Sequence, residues 1–297
     1  MNIEKLTSTD GFVAIDLSEA ETSVGVVRCA RKILQDGAVN LARTATYSFA
    51  AFGYRISGAS AAINAEGETR APAVAAAVSE WSERAAAGSL VLRAGKGVSA
   101  GELAGLVPTF ALPTPDEELD ATATSVVATT VAVLEGASRS EVVIEEMGPF
   151  SAKVTEQLAA AGIAGVLLPT AEALTAECAV LIAGSKPGLV DHEVAAGLGA
   201  QFLVASGPLP ITARGLAVAR RSGCEPIADF ISLSGPLIVL AELISASGPT
   251  PDIAARVREV LAASTQFPDG PCLGACFLAE EFLRTWVSEL PFGRPLA

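Results

Sequence analysis

The 297-residue sequence has few of the residues that most often carry chemistry. It has one histidine, His192, and five cysteines without a second close pair, which favours buried structural thiols over a metal site. Cys272 and Cys276 in "PCLGAC" lie four residues apart and fit buried thiols on one helix face. An odd cysteine count without disulfide-framework spacing suits a reducing compartment. No apolar run reaches the roughly 18 residues that span a bilayer. The N-terminus "MNIEKLTSTDGF" lacks an apolar core behind a basic start, so no secretory signal is expected, and a soluble cytoplasmic protein is the default. Basic residues are outnumbered, 20 against 33 acidic, and the net charge of −13 argues against a nucleic-acid partner. What the sequence does have is apolar content, 51% hydrophobic against 18% charged, enough for one large or two medium domains with ample core.

Along the chain, "GFVAID" (11–16) and "TSVGVVR" (22–28) read as strands. Helical spacing runs from Ala30 to about Phe52, "RISGASAAINA" reads as a tightly packed strand, 69–87 as an Ala-rich helix and "SLVLRAG" (89–95) as a strand. "VPTFALPTPDEEL" (107–119), with three prolines in nine residues, cannot be helix interior and marks a domain boundary. Beyond it the apolar runs "EVVIEE", "GVLLP", "AVLIAG", "QFLVAS" and "PIADFI" alternate with helix-like segments, the pattern of a parallel, doubly wound sheet. After about Ser247 come two amphipathic helices, with Asp252 near a helix start and Gly270-Pro271 breaking between them. The expected architecture is α/β. An N-terminal α/β domain covers 1–118, a Rossmann-like domain 119–250, and C-terminal helices at 251–297 pack back on the first domain.

Two parts of this pattern together resemble the glutamate/leucine/phenylalanine/valine dehydrogenase superfamily, whose members oxidatively deaminate amino acids with NAD or NADP. The first is "GFVAIDLSEAETSVGVVR … LARTATYSFAAFGYRISGASAAINAEGE", similar to the family's two strands, long helix with a "TYK" motif, and "GG.KGGI" turn. The second is "VVIEEMGPFSAKVTEQLAAAGIAGVLLP", placed where the family has its first nucleotide-binding βαβ unit. "VLIAGSKPGLVD", "VASGP" and "PIADFISLSGPLI" follow in the family's order. The resemblance covers roughly residues 11 to 245. It implies an N-terminal domain that serves oligomerisation, and a homo- or hetero-oligomer.

The chemistry departs from the family at the lysine and cofactor positions. The resemblance puts the family's two lysines at Ser48 (in Thr46-Tyr47-Ser48) and Ser60 (in "SGASAAI"). A neutral hydroxyl cannot stabilise an anion as an ammonium does. Losing an acid–base group typically costs about 10²–10⁴ in rate. Asp116 in "LPTPDEEL" resembles the family's catalytic aspartate; on its own residues it reads as an exposed turn aspartate before a helix. A dinucleotide turn wants G-x-G-x-x-G. Here the segment is Glu146-Met147-Gly148-Pro149-Phe150-Ser151, with only Gly148 kept and Glu146 where the first glycine would stand. Pro149 suits a first helical turn. Ser206 and Leu233 fall where the family has nicotinamide-side asparagines. The expectation is that no NAD(P) binds; if the cofactor site survives, NAD(P) is the cofactor.

Three readings remain open. The chain is a pseudoenzyme kept for assembly with itself or with another enzyme subunit. Or it is repurposed for a small anionic or amino-acid-like substrate in the old cleft, with Arg43, Arg55 and Lys96 as candidate cations, each read more simply as a solvated surface residue, and with Tyr47, Ser48, Ser57, Ser60 and Asn64 as a candidate polar pocket. Or it is an active NAD(P)-dependent dehydrogenase in a different register, with Lys96 of "AGKGV" as the catalytic lysine. His192 is read as a surface residue and not as a general base.

Overall fold

The computed structural model describes residues 1–245 and 251–297, so the expected domain end at 250 lies outside the described residues. The chain divides into two compact units. Unit 1 is Met1–Leu112 with Phe282–Pro295, and unit 2 is Pro113–Glu281 with Leu296–Ala297.

Unit 1 holds a five-stranded sheet of β1 (Asn2–Lys5), β2 (Gly11–Ile15), β3 (Ser23–Ala30), β4 (Ser57–Asn64) and β5 (Leu90–Ala94), in the order β1-β2-β4-β3-β5. Strands β3, β4 and β5 run parallel, whereas β1, β2 and β4 pair antiparallel. Two helices, α1 (Gln35–Ala51) and α2 (Arg70–Ala86), cover opposite faces. Side chains alternate across a strand, so Val13, Ile15, Val27, Ala61 and Ile63 face α2 and pack with Val74, Ala77 and Trp81. The other face, with Phe12, Ala14 and Ala62, packs on Ala38 of α1. Small residues set this second contact. A Cβ on Gly58 would meet the Ala42 carbonyl oxygen at 1.8 Å, so only glycine lets α1 approach so closely. The Gly58 N–H donates to Thr46 Oγ1 of α1 at 2.8 Å, fixing the register of helix on strand.

Unit 2 holds a parallel sheet of β6 (Val142–Glu145), β7 (Gly165–Leu168), β8 (Cys178–Ala183), β9 (Ala200–Ala205) and β10 (Glu225–Pro226), in the order β10-β9-β8-β6-β7. Numbered within the unit, this is the doubly wound order 2-1-3-4-5, which reverses direction between β6 and β8. The unit's helices are α3 (Pro115–Leu134), α4 (Pro149–Ala160), α5 (Thr170–Ala173), α6 (His192–Ala196), α7 (Ala213–Arg221), α8 (Asp229–Ser232), α9 (Gly235–Ser245), α10 (Ile253–Ser264) and α11 (Gly270–Leu283). Thr114 and Glu117 form a capping box that starts α3, with Pro115 at its first turn. Val142, Ile144, Val180, Ile182 and Val204 are fully buried, which is why these runs read as continuous apolar stretches.

Three sequence expectations change. "PIADFI" is a strand only at Glu225–Pro226, after which α8 begins at Asp229; Pro226 has no N–H to extend a ladder. The strand β1 lies in a stretch where no element was expected. Helix α10 packs on α3, and of the C-terminal segment only Phe282–Pro295 lies with unit 1. Among the described residues no helix is long and apolar enough to cross a membrane.

Candidate functional site

In an open parallel sheet, ligands bind outside the carboxyl ends of the strands where the strand order reverses. In unit 2 that crevice lies between the ends of β6 and β8, and the last residue of β6 is Glu145. Its side chain is 1% exposed. One carboxylate oxygen accepts from the backbone N–H groups of Gly184 at 2.8 Å and Ser185 at 3.0 Å, directly after β8. The other accepts from the hydroxyl of Thr170, the first residue of α5, two residues after β7, at 2.7 Å. Burial acts to raise the Glu145 pKa, but the hydrogen bonds from Ser185, Gly184 and Thr170 outweigh it and hold the carboxyl below the usual carboxylate range. The chain's own anion therefore occupies the switch point and bridges three strand ends. Glycine at 184 is required by the neighbouring backbone, since a Cβ there would meet Gly207 N at 2.5 Å.

The adjoining turn leads into α4. Gly148 caps this helix with φ 64°, a left-handed conformation that suits glycine. Pro149 at the first turn removes one of the helix's N-terminal N–H donors. Ser151 Oγ accepts from the Met147 N–H at 2.9 Å and donates to the Gly148 carbonyl at 3.0 Å, closing the turn on itself. Glu146, one residue after the buried carboxylate, is exposed. Sequence reasoning placed the obstructing carboxylate at Glu146; in the structure the buried one is Glu145. The signal was an acidic residue ending a four-residue buried run. In "VVIEE" two neighbouring glutamates share that signal, and only the end of the strand tells them apart. Ser206 donates to Met147 Sδ at 3.2 Å, bringing the end of β9 to the same turn, and Leu233 packs against the unit's core.

A second buried carboxyl in unit 2 went unnoticed in the sequence. Asp229, 5% exposed, accepts from the Leu209 N–H at 2.6 Å and the Phe230 N–H at 2.8 Å. Burial pushes its pKa up to about 6, against the lowering effect of those bonds. Leu209 is the one non-glycine residue with positive φ, 54°, among the described residues, so Asp229 holds a strained loop in place.

In unit 1, Ser48 on α1 and Ser60 on β4 are both buried, at 1% and 0% exposure. Ser48 Oγ has no hydrogen-bond partner among the described residues. Ser60 Oγ accepts from Arg28 Nη2 at 3.3 Å. The proposed polar pocket disperses: Ser57 Oγ binds the Leu17 N–H at 2.9 Å, and Asn64 Oδ1 the Ile33 N–H at 2.8 Å. Arg43, expected on the surface, is buried instead. Its Nε lies 2.8 and 2.7 Å from the two oxygens of buried Asp16, and its Nη1 donates to the carbonyls of Phe292 and Gly293 at 2.5 and 2.6 Å. Arg55 is exposed in the irregular segment before β4, and Lys96 is exposed in a turn. Asp116 is exposed in the first turn of α3, where it favours the helix dipole. His192 is half-buried at the start of α6. No group of three or more His, Cys, Asp or Glu side chains among the described residues is arranged to hold a metal ion.

Neither protein-family models nor the sequences of curated proteins match this chain. Solved structures do. Hetero-hexameric glutamate dehydrogenase from Thermus thermophilus, in a leucine-bound form, superposes with a TM-score of 0.79 at 17% identity, covering 93% of this chain and 84% of that one. L-Tryptophan dehydrogenase from Nostoc punctiforme gives 0.72 at 14% identity, covering 96% and 95%. Plasmodium falciparum glutamate dehydrogenase gives 0.73 at 10% identity, covering 95% and 82%. The chain has the α/β fold of the amino-acid dehydrogenases, including the Rossmann-like parallel sheet.

Proposed function

We propose that the chain is a subunit on the amino-acid-dehydrogenase fold that does not carry out dinucleotide-linked deamination, and that it serves as a non-catalytic, structural or regulatory member of a homo- or hetero-oligomer. The observation that carries this reading is Glu145. Its carboxylate takes both N–H groups at the switch point, so a dinucleotide diphosphate entering there would set like charge against like. The residues present do not fit NAD(P) in the usual pose. Two further observations support the reading. Ser48 and Ser60, where the resemblance places lysines, are buried hydroxyls without an ammonium. Lys96, the lysine available to a shifted register, is exposed in a turn. Assembly with a second chain type follows the T. thermophilus structure, which is a hetero-hexamer.

Calorimetric titration of the purified protein with NAD(H) and NADP(H), up to millimolar concentration, tests the reading. No binding is expected. Micromolar binding would overturn it. One observation favours the second reading, a site reused for a small anion: the desolvated guanidinium of Arg28 beside Ser60.

A further inference from the structure

Seven large hydrophobic side chains are exposed among the described residues, and only two of them, Val166 at 54% and Leu167 at 41%, are neighbours in one element. That element is β7, the last strand of the unit 2 sheet, with β6 on one side and no strand on the other among the described residues. Native edge strands are commonly guarded by a lysine, an inward charge or a bulge, because their unpaired backbone is a template for another strand. Here residues 157–171, from the end of α4 through β7 into α5, carry no charge. The chain as a whole is acidic, at −13, so copies repel one another over much of their surface. The edge of β7 is exempt from that repulsion.

The ladder fixes which backbone groups of β7 face outward. In a parallel pair, alternate residues turn both N–H and C=O toward the neighbouring strand. The Glu146 N–H donates to the Leu168 carbonyl at 2.9 Å, so Leu168 and Val166 face β6. Gly165 and Leu167 therefore present N–H and C=O outward, and meet no partner there among the described residues. This pattern matches an antiparallel copy of itself. With Val166 on a twofold axis, Gly165 of each copy exchanges both bonds with Leu167 of the other, and every outward group finds a partner. Each Leu167 then stands beside a glycine, which has no side chain to obstruct it. Other registers lose bonds. Centring on Leu167 would set Gly165 against Pro169, which has no N–H to donate. Centring on Gly165 would set Leu167 against Ile163, whose N–H already donates to the Leu158 carbonyl at 2.9 Å.

We propose that β7 is a homotypic docking edge: two copies of this chain pair their β7 strands antiparallel about a twofold axis at Val166, joining their unit 2 sheets into one. An isologous contact needs a surface complementary to itself, and this edge is so in backbone, in side chains and in charge. The strand has only four residues, so the contact is weak and depends on concentration. It names one contact of the oligomer proposed above and rests on that part of the reading alone. It is independent of Glu145, whose calorimetric test reads a different property, so failure of one is distinguishable from failure of the other.

The test is the sedimentation mass of the full chain, wild type and Val166→Lys, from micromolar to near-millimolar protein. The wild type should gain mass with concentration and approach about twice the mass of Val166→Lys, in which like charges face each other across the axis. Val166 is exposed, so Val166→Lys should keep the wild-type circular dichroism. Val166→Glu should behave alike, and an equimolar mixture of the two variants should recover the wild-type mass, because lysine then faces glutamate. Val166→Cys supplies a second readout. Directly opposed residues of a non-hydrogen-bonded pair have Cα atoms about 4.5 Å apart, within disulfide reach. The five native thiols are buried. Oxidation with diamide should therefore link Val166→Cys into a dimer at dilutions where Ser222→Cys, exposed after α7, stays unlinked. Equal masses of wild type and Val166→Lys, or equal linking of the two cysteine variants, overturn the proposal. So does a fall in mass that the lysine–glutamate mixture does not reverse, which would assign the association to a contact other than Val166 on Val166.

Discussion

Replacing Glu145 separates a structural carboxylate from an incidental one. It accepts three hydrogen bonds, from Thr170, Gly184 and Ser185, at 2.7, 2.8 and 3.0 Å. Glutamine at 145 keeps one carbonyl for the two N–H groups, and the Thr170 hydroxyl can rotate to accept from the new amide. The expected cost is about 1–2 kcal/mol, the difference between charge-assisted and neutral bonds. Alanine removes every acceptor and leaves two N–H groups and a hydroxyl facing a void. At about 1–2 kcal/mol for each orphaned donor, the loss is about 3–6 kcal/mol. For a unit of this size that corresponds to a fall in Tm of roughly 6–24 °C. The vacated N–H pair then becomes an anion site, so pyrophosphate should recover part of the loss in Glu145→Ala and leave the wild type unchanged. The pH dependence has a definite sign. The folded pKa of Glu145 is depressed, so its stabilisation is present above the ordinary glutamate pKa and is lost as pH falls through the folded value. Glu145→Gln should lack that acid-side decline. Urea unfolding of the three proteins at neutral and acid pH provides the measurement. A Glu145→Ala protein as stable as wild type, or a wild type equally stabilised by pyrophosphate, would refute the account of the crevice.

Asp229 should show the opposite pH dependence: its folded pKa of about 6 lies above an unfolded value near 3.9, so its favourable protonated form is fully present below about pH 4 and lost as pH rises through about 6. The effect is about 3 kcal/mol at most, and Asp229→Asn, compared with wild type by urea unfolding at pH 4.5 and 7.5, should gain relative stability at the higher pH; parallel profiles would contradict it. Arg43→Met leaves Asp16 buried without its partner and releases the carbonyls of Phe292 and Gly293, at an expected cost of about 3–5 kcal/mol. Adding Asp16→Asn should recover a large part of that loss in the same denaturation assay. Gly58→Ala drives a methyl group into the Ala42 carbonyl and should cost 3 kcal/mol or more, read as loss of soluble protein or a large drop in Tm. Gly53→Ala, with open space but φ +80°, should cost about 1 kcal/mol and serves as the comparison.

Much of the fold was legible along the chain because its signals are local. Runs such as "AVLIAG" are buried on both faces by neighbours that every inner strand of a parallel sheet has, and the composition records this directly. Capping residues such as Thr114 and Asp252 act on N–H groups three residues away. That positions 48 and 60 carry serine was also visible, since residue identity needs no geometry. The site itself was less legible. Glu145 and Glu146 are equivalent in composition, and the choice between them depends on where β6 ends and which strand lies beside it.

The sequence by itself determined the α/β class, the alternation of the second half and the absence of an ammonium at positions 48 and 60. Its period and composition act within a few residues. The tertiary structure alone decided what those residues do, because the deciding contacts join distant segments. Glu145 reaches Gly184 across 39 residues only because the strand order sets β8 beside β6. Arg43 changes from an expected surface cation to a buried one because α1 lies over β2 and the C-terminal segment closes on it. Among the described residues Arg28 meets no carboxylate, because β4 offers it a hydroxyl and β5 a second arginine. The chain supplies each charge locally, whereas its solvation and its partner are properties of the packed strands.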